Sequence, residues 1–307
     1  MKTFLLSLLT SLLLSNTLRA ALDTAKIESL TGLKGTANEA EGTFKITAPR
    51  TDVKIAVDGW TMPPFMGLTT WAAFKPGIKA EAMCAGDLVV LEDEINPVMS
   101  AALDAGLSVT ALHNHFTGDE PKVFFMHIGG EGKADALAGG VKAALDAQKK
   151  VRAAAPVPQR TFGAAFAPEK NAISAPPLDA ALSTKGQAKD GMYKAVFGRT
   201  AKMPCGCEMG KEMGVNTWAA FGGTDDNACV CGDFCVLESE LQPVLKSLRK
   251  EGINIVAIHH HMTMEEPRYL FLHYWGKDSA AKLAASLKAT IAVQSKVPSA
   301  QPSPAGK

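Results

Sequence analysis

The sequence predicts an α+β protein made of two tandem homologous repeats, each a mostly antiparallel sheet with helices packed on one face. Three observations lead there. The stretch Gly86 to Val98 returns as Gly232 to Val244 with 8 of 13 positions identical, and Ala111 to Gly130 returns as Ala257 to Gly276 with 9 of 20 identical. Within one repeat, short β-rich runs alternate with segments of helical periodicity. The offset of 146–147 residues is that of a duplicated domain, far longer than a solenoid unit of about 20–50 residues.

The elements of the first repeat follow in order. A helix is expected over 24–31, then strands over 42–47, 69–74 and 87–91. Asp93 is placed to cap a helix over 94–105, with Pro97 in its first turn, where no intrahelical donor is needed. Ile95, Val98, Met99 and Ala102 form its apolar stripe and Gly106 ends it. Strands over 108–116 and 122–129 flank a loop at 117–121, and a helix over 133–147 closes the unit. Gly86-Asp87 and Gly232-Asp233 read as turns entering strands, and Trp71 and Trp218 as core.

The domain plan is a signal peptide at 1–20, a first repeat at 22–150, an Ala/Pro-rich linker at 151–177, a second repeat at 178–295 and a disordered tail at 296–307. The start has Lys2, an apolar run over 4–14 and small residues at Ala20 and Ala21, the pattern of an export signal. Export to the periplasm or medium is therefore expected. The first cysteine is Cys84, so no thiol stands near the cleavage region to carry a lipid, and no stable membrane anchor is expected after signal removal. Lys plus Arg is 32 and Asp plus Glu is 31, a net charge of +1. That balance gives no electrostatic reason for a nucleic-acid partner.

All seven histidines fall in two equivalent windows, pairing His113 with His259, His115 with His261 and His127 with His273, with His260 in the place of Asn114. Alternation along a strand puts His113 and His115 on one face. A hairpin centred near Glu120 would set His127 opposite His113, about 5 Å away. Three imidazoles converging in this way can hold a divalent metal, zinc first, and leave a position open for water or substrate. A carboxylate ligand would shift the preference towards Fe²⁺ or Mn²⁺. Glu92 and Glu120 are the candidate catalytic bases, repeated as Glu238 and Glu266.

Cys84, Cys205, Cys207, Cys229, Cys231 and Cys235 make an even set, which in an exported chain predicts disulfides, with a clip between 202–209 and 229–231. The alternative is copper, since Cys and Met select Cu(I) and Met203, Met209, Met213, Met262 and Met264 lie in the same part of the sequence.

The segments LEDEINPVMSAALDAG and ALHNHFTGDEPKVFFMHIGG, with VLESELQPVL and IHHHMTMEEPRYLFLHYWG in the second copy, resemble the LppY/LpqO family of exported bacterial proteins, a domain of unknown function. The resemblance covers both repeats and implies export and a two-copy architecture, but no reaction. The chain departs from it by lacking an acylated cysteine and by carrying His260 where the pattern has Asn. Three functions stay open: a metal-dependent hydrolase, a metal (copper) carrier, and a non-catalytic module whose histidines bind a small ligand. Enzyme status is open with them.

Overall fold

A computed structural model describes residues 21–160 and 170–297. The first repeat runs α1 (Thr24–Thr31), β1 (Gly35–Asn38), β2 (Thr43–Pro49), β3 (Ala56–Val57), β4 (Trp60–Thr61), β5 (Thr69–Pro76), β6 (Ala82–Leu91), α2 (Ile95–Asp104), β7 (Ser108–His113), β8 (Asp119–Glu120), β9 (Val123–Gly132) and α3 (Ala134–Ala154). The second runs α4 (Ala175–Leu182), β10 (Gln187–Lys189), β11 (Met192–Gly198), β12 (Ala201–Lys202), β13 (Glu208–Met209), β14 (Asn216–Gly223), β15 (Ala228–Leu237), α5 (Glu238–Lys250), β16 (Asn254–His259), β17 (Tyr269–Asp278) and α6 (Ala280–Gln294). The signal segment at 1–20 and most of the tail lie outside the described residues. Among the described residues no helix is long and apolar enough to cross a membrane.

The repeats fuse into one antiparallel sheet of twelve strands, ordered β1-β2-β5-β6-β9-β7-β16-β17-β15-β14-β11-β10. The seam is β7 against β16, where Leu112 pairs with Ile258. Two equivalent side-chain amides brace it. Asn96 accepts from Ile255 N–H at 2.7 Å and donates to Ile255 O at 3.2 Å. Gln242, its counterpart, does the same to Val109 at 2.9 and 2.8 Å. Each repeat thus reaches into the other's backbone, and the sheet has a local two-fold relation at its centre.

Strand alternation decides which side chains meet the helices. On β6, Ala82, Cys84, Leu88 and Val90 join helix residues such as Val98, Met99 and Val141 in the main core. The intervening positions face away. One end of that second face is covered in each repeat by a small lobe. In the first, β3 pairs with both β4 and β8, over a cluster of Ile55, Leu68, Val89, Leu91, Val123 and Phe125. In the second, the β12–β13 hairpin and its surroundings cover Ala201, Val215, Cys235, Tyr269 and Phe271.

Gly86-Asp87 and Gly232-Asp233 lie inside β6 and β15 rather than in turns. Asp93 does not cap α2: it pairs with Arg152, while Glu94 holds the cap position and accepts from Leu91 N–H at 2.9 Å. The strand expected over 108–116 ends at His113. The hairpin register lies two residues away from the expected one: His127 stands opposite Ala111 and His113 opposite Phe125, so His113 and His127 are diagonal neighbours.

Candidate metal centre

The site grows from the second face of the sheet. In the second repeat one register row runs Trp218, Asp233, His273 and Ala257, across β14, β15, β17 and β16. His259, at the end of β16, is on the same face two positions on from Ala257, and His261 follows in the loop. The rings converge: His259 lies 5.1 Å from His261 and 4.6 Å from His273 between centroids. Phe271 of β17, under the covering lobe, stacks on His261 at 3.5 Å and fixes its plane.

Asp233 completes the group. Ligand atoms of Asp233, His259 and His261 all lie within 4.8 Å of one another. Asp233 Oδ2 is 3.2 Å from His261 Nε2 and 3.9 Å from His259 Nε2. The carboxylate is 1% exposed, and its Oδ1 has no hydrogen-bond partner. Backbone carbonyls decide the tautomers. His261 Nδ1 faces Gly214 O at 3.0 Å and His273 Nδ1 faces Gly232 O at 3.2 Å, so each Nδ1 carries the proton and each Nε2 is bare in the neutral ring. His259 Nδ1 is buried without a partner. Burial, then the neighbouring His273 and His261, pushes the His259 imidazole down to about 4, so it is neutral at pH 7. Burial raises the Asp233 carboxyl above its ordinary range, against the opposing pull of His273 and His261.

A bare imidazole nitrogen therefore looks at a buried carboxylate oxygen across 3.2 Å, with no proton to share unless the ring or the carboxyl takes one up. Two lone pairs in that position repel each other unless a proton or a metal cation lies between them. A carbonyl holding the far nitrogen of a ligating imidazole is the usual outer-shell arrangement of a metal site.

The first repeat repeats the constellation in looser form. His113 lies 5.0 Å from His127 and 5.1 Å from His115, and His115 stacks on Phe125 at 3.3 Å. Asp87 pairs with His127 across β6 and β9, is buried, and has Oδ1 without a partner. Burial lowers the His113 and His115 imidazoles, with Asp87 opposing. Among the described residues only the second repeat closes three ligand atoms to within 4.8 Å.

All six expected ligands are thus brought together as two trios. Glu92 and Glu120 are not brought to them. They share a different cleft, of about 230 Å³, with Val53, Lys54, Lys122 and Arg160. Glu120 pairs with Arg160 at the surface, and burial raises the Glu92 carboxyl against Arg160 and Lys122. Glu238 lies 3.9 Å from Arg268, both exposed. The buried acids nearby are structural: Glu94 is held by Arg50 at 2.6 Å and Arg152 at 2.7 Å, and Glu240 by Arg199.

Asp87 and Asp233, which the sequence presents as turn residues, stand instead beside the two trios. The signal was available: each is an acid at a matching position within an otherwise apolar run. Trp71 and Trp218 are half-buried on the second face rather than core, each under a lysine 4.5 Å from its ring (Lys45 and Lys194). A cleft of about 440 Å³ runs along this face of the second repeat, with Lys194, Lys211, Asn216, Trp218 and His261 in its walls. All six cysteines are free thiols. The expected clip does not form because Cys229 lies opposite Lys277, at the far end of β15 from the hairpin, which is tied to Glu266 by Lys202.

No curated protein matches the chain. A solved structure, a trimeric bacterial microcompartment shell protein (PduB), is similar at 15% identity over 84% of this chain and 89% of that one, with a TM-score of 0.22, too low to carry an argument. One family model matches twice, over residues 25–147 and 176–293, which cover the two halves of the fused sheet. By that match the chain belongs, in two copies, to the family described as Domain of Unknown Function (DUF1259).

Proposed function

We propose that this is an exported metal-binding protein of the LppY/LpqO kind, and that Asp233, His259 and His261 hold one divalent transition metal ion, with His273 beside them as a further donor. The observation that carries the reading is the 3.2 Å approach of Asp233 Oδ2 to a His261 Nε2 whose ring proton is committed to Gly214 on the other side. Two imidazoles and one carboxylate suit Zn²⁺, and equally Fe²⁺ where positions stay open. A metal with an open position lowers the pKa of bound water to about 7, so the chemistry best supported is metal-assisted hydrolysis of a substrate entering along the cleft walled by His261. The first repeat, with a wider trio, is the weaker or empty copy.

A carrier role competes on one observation: Cys229, Cys231 and Cys235 alternate with Asp233 on the same face of β15. Elemental analysis of protein purified from an exporting cell, without a histidine tag, tests both. One equivalent of zinc or iron, lost in His259→Ala/His261→Ala and retained in Cys229→Ser/Cys231→Ser, supports the hydrolytic site. Loss in the cysteine variant favours the carrier. Metal-free protein that takes up neither ion on dialysis overturns the metal reading. Mass analysis of the same sample tests export, with a mature start at Ala21 expected.

A further inference from the structure

The covering lobes of the two repeats differ at one turn. Gly59 in the first and Gly206 in the second stand at the 147-residue offset that relates Trp71 to Trp218, and both have positive φ, 77° and 85°. Asp58 and Trp60 flank the first glycine, whereas Cys205 and Cys207 flank the second. The turn is closed by Met203 N–H to Cys207 O at 2.9 Å and Gly206 N–H to Met203 O at 2.8 Å. Its strands pair Ala201 with Met209 and Lys202 with Glu208. The hairpin is tied to the loop before β17 by two bonds between Lys202 and Glu266, at 2.7 and 2.9 Å. Two thiols are thus held side by side on an anchored turn, and both are exposed.

The other four cysteines are differently placed. Burial pushes the Cys84 and Cys235 thiols up to about 12 and raises those of Cys229 and Cys231. Hydrogen bonds from Cys207, through its backbone and its side chain, lower the Cys205 thiol instead. Met203 and Met264 line a cleft of about 500 Å³ at the base of the same hairpin, and Met264 is 76% exposed.

We propose that Cys205 and Cys207 form a second metal site, at the tip of the second repeat's covering hairpin, that takes a thiophilic monovalent cation of the Cu(I) type. Each thiol gives up its proton to solvent and each sulfur donates a pair to the ion, so one Cu⁺ replaces two protons with no change of oxidation state. Soft thiolate and thioether donors select Cu(I), whereas the imidazole and carboxylate donors of the Asp233 group suit a borderline divalent ion. The two sites therefore differ in the metal they prefer, and this inference does not rest on the hydrolytic reading above.

The test is an anaerobic Cu(I) titration of the reduced full-length protein against bathocuproine disulfonate, followed by chelator colour and the ultraviolet thiolate-to-copper band. One tightly held equivalent is expected. Cys205→Ser/Cys207→Ser should weaken it by about 100-fold or more, beyond the 10–100-fold typical of losing an outer-shell partner. Cys229→Ser/Cys231→Ser and Asp233→Asn should each leave it in place, while Asp233→Asn alone loses zinc. Thermal melts check that each variant is folded. Undiminished Cu(I) affinity in Cys205→Ser/Cys207→Ser, or loss confined to Cys229→Ser/Cys231→Ser, overturns the proposal.

Discussion

Replacing Asp233 by Asn separates a site residue from a structural one. The Asp233 carboxylate is 1% exposed, its Oδ1 is unpartnered, and its Oδ2 faces a bare nitrogen of His261 at 3.2 Å. A buried polar atom left without a partner costs about 1–3 kcal/mol. The asparagine amide removes the charge and can donate to that nitrogen. Metal-free Asp233→Asn should therefore be more stable than the parent by about 1–3 kcal/mol, a rise in melting temperature of roughly 2–10 °C. The metal response should go the opposite way. At a zinc concentration of 100 times Kd the parent gains about 2.7 kcal/mol, and the variant should gain nothing measurable. pH adds a further signature. Because the Asp233 carboxyl is raised in the folded state, its contribution is fully present below the ordinary carboxylate range and is lost as pH rises through the folded value; the variant lacks that loss. Calorimetric melts with chelator and with zinc read all three. A metal-free Asp233→Asn less stable than the parent, or one that keeps the zinc shift, would refute the reasoning.

Further consequences can be measured by chemical denaturation and melts. Glu94→Gln, which strips the carboxylate from buried Arg50 and Arg152, should cost about 3–5 kcal/mol, while Glu240→Gln should cost about half as much, because Arg199 is its single arginine partner and is 26% exposed; equal costs would sink the comparison. Gly232→Ala would put a Cβ 2.1 Å from Trp218 O and 2.2 Å from Tyr274 Oη, so a loss of about 3 kcal/mol is expected, against about 1–2 kcal/mol for Gly86→Ala, whose nearest contact is 2.7 Å. His259, held down to about 4, binds its proton in the unfolded chain first, so metal-free stability should fall as pH drops from 6.5 to 4. That interval caps the effect near about 3 kcal/mol and solvent screening trims it to about 1–2 kcal/mol; an equally steep acid limb in His259→Gln would count against it.

The duplication, the helix 24–31 and the strands carrying the histidines were legible because repetition and period-two alternation are local properties of the chain. The trios were legible for the same reason, although the assumed register was off by two residues, with His113 opposite Phe125 rather than His127; a slip of two keeps every side chain on its face, so no hydrophobic pattern reports it. Asp233 was hidden by its neighbours. Gly-Asp reads as a turn unless one knows that Gly232 is required where Trp218 O and the Tyr274 hydroxyl crowd the strand. Glu92 and Glu120 drew attention by recurring in both copies, but what recurs there is a strand-to-helix junction and the lobe pairing of β8. The seam was out of reach altogether. Asn96 and Gln242 are unremarkable helix residues until each is seen bonded to the other repeat's backbone 159 and 133 residues away in sequence.

That seam explains why the histidines sit where they do. Alone, either repeat would end in an open strand, β7 or β16, with backbone donors facing water beside its own cluster. Pairing the two edges buries them and moves both trios to the middle of a twelve-stranded sheet. Leu112 and Ile258 bridge the seam and both point to the helices, so the residues that follow them, His113 and His259, emerge on the same opposite face. The copies then diverge through one neighbour. In the first, Phe116 packs within 3.7 Å of the Cβ position of Gly67; in the second, where Met262 replaces Phe116, His261 itself approaches Gly214, with Nδ1 at 3.4 Å from the matching position. A flexible thioether yields that space where a ring does not. The carbonyl of Gly214 can then take the ring proton and leave the other nitrogen facing Asp233. The donor set is thus closed in the copy that carries Met262 and open in the copy that carries Phe116.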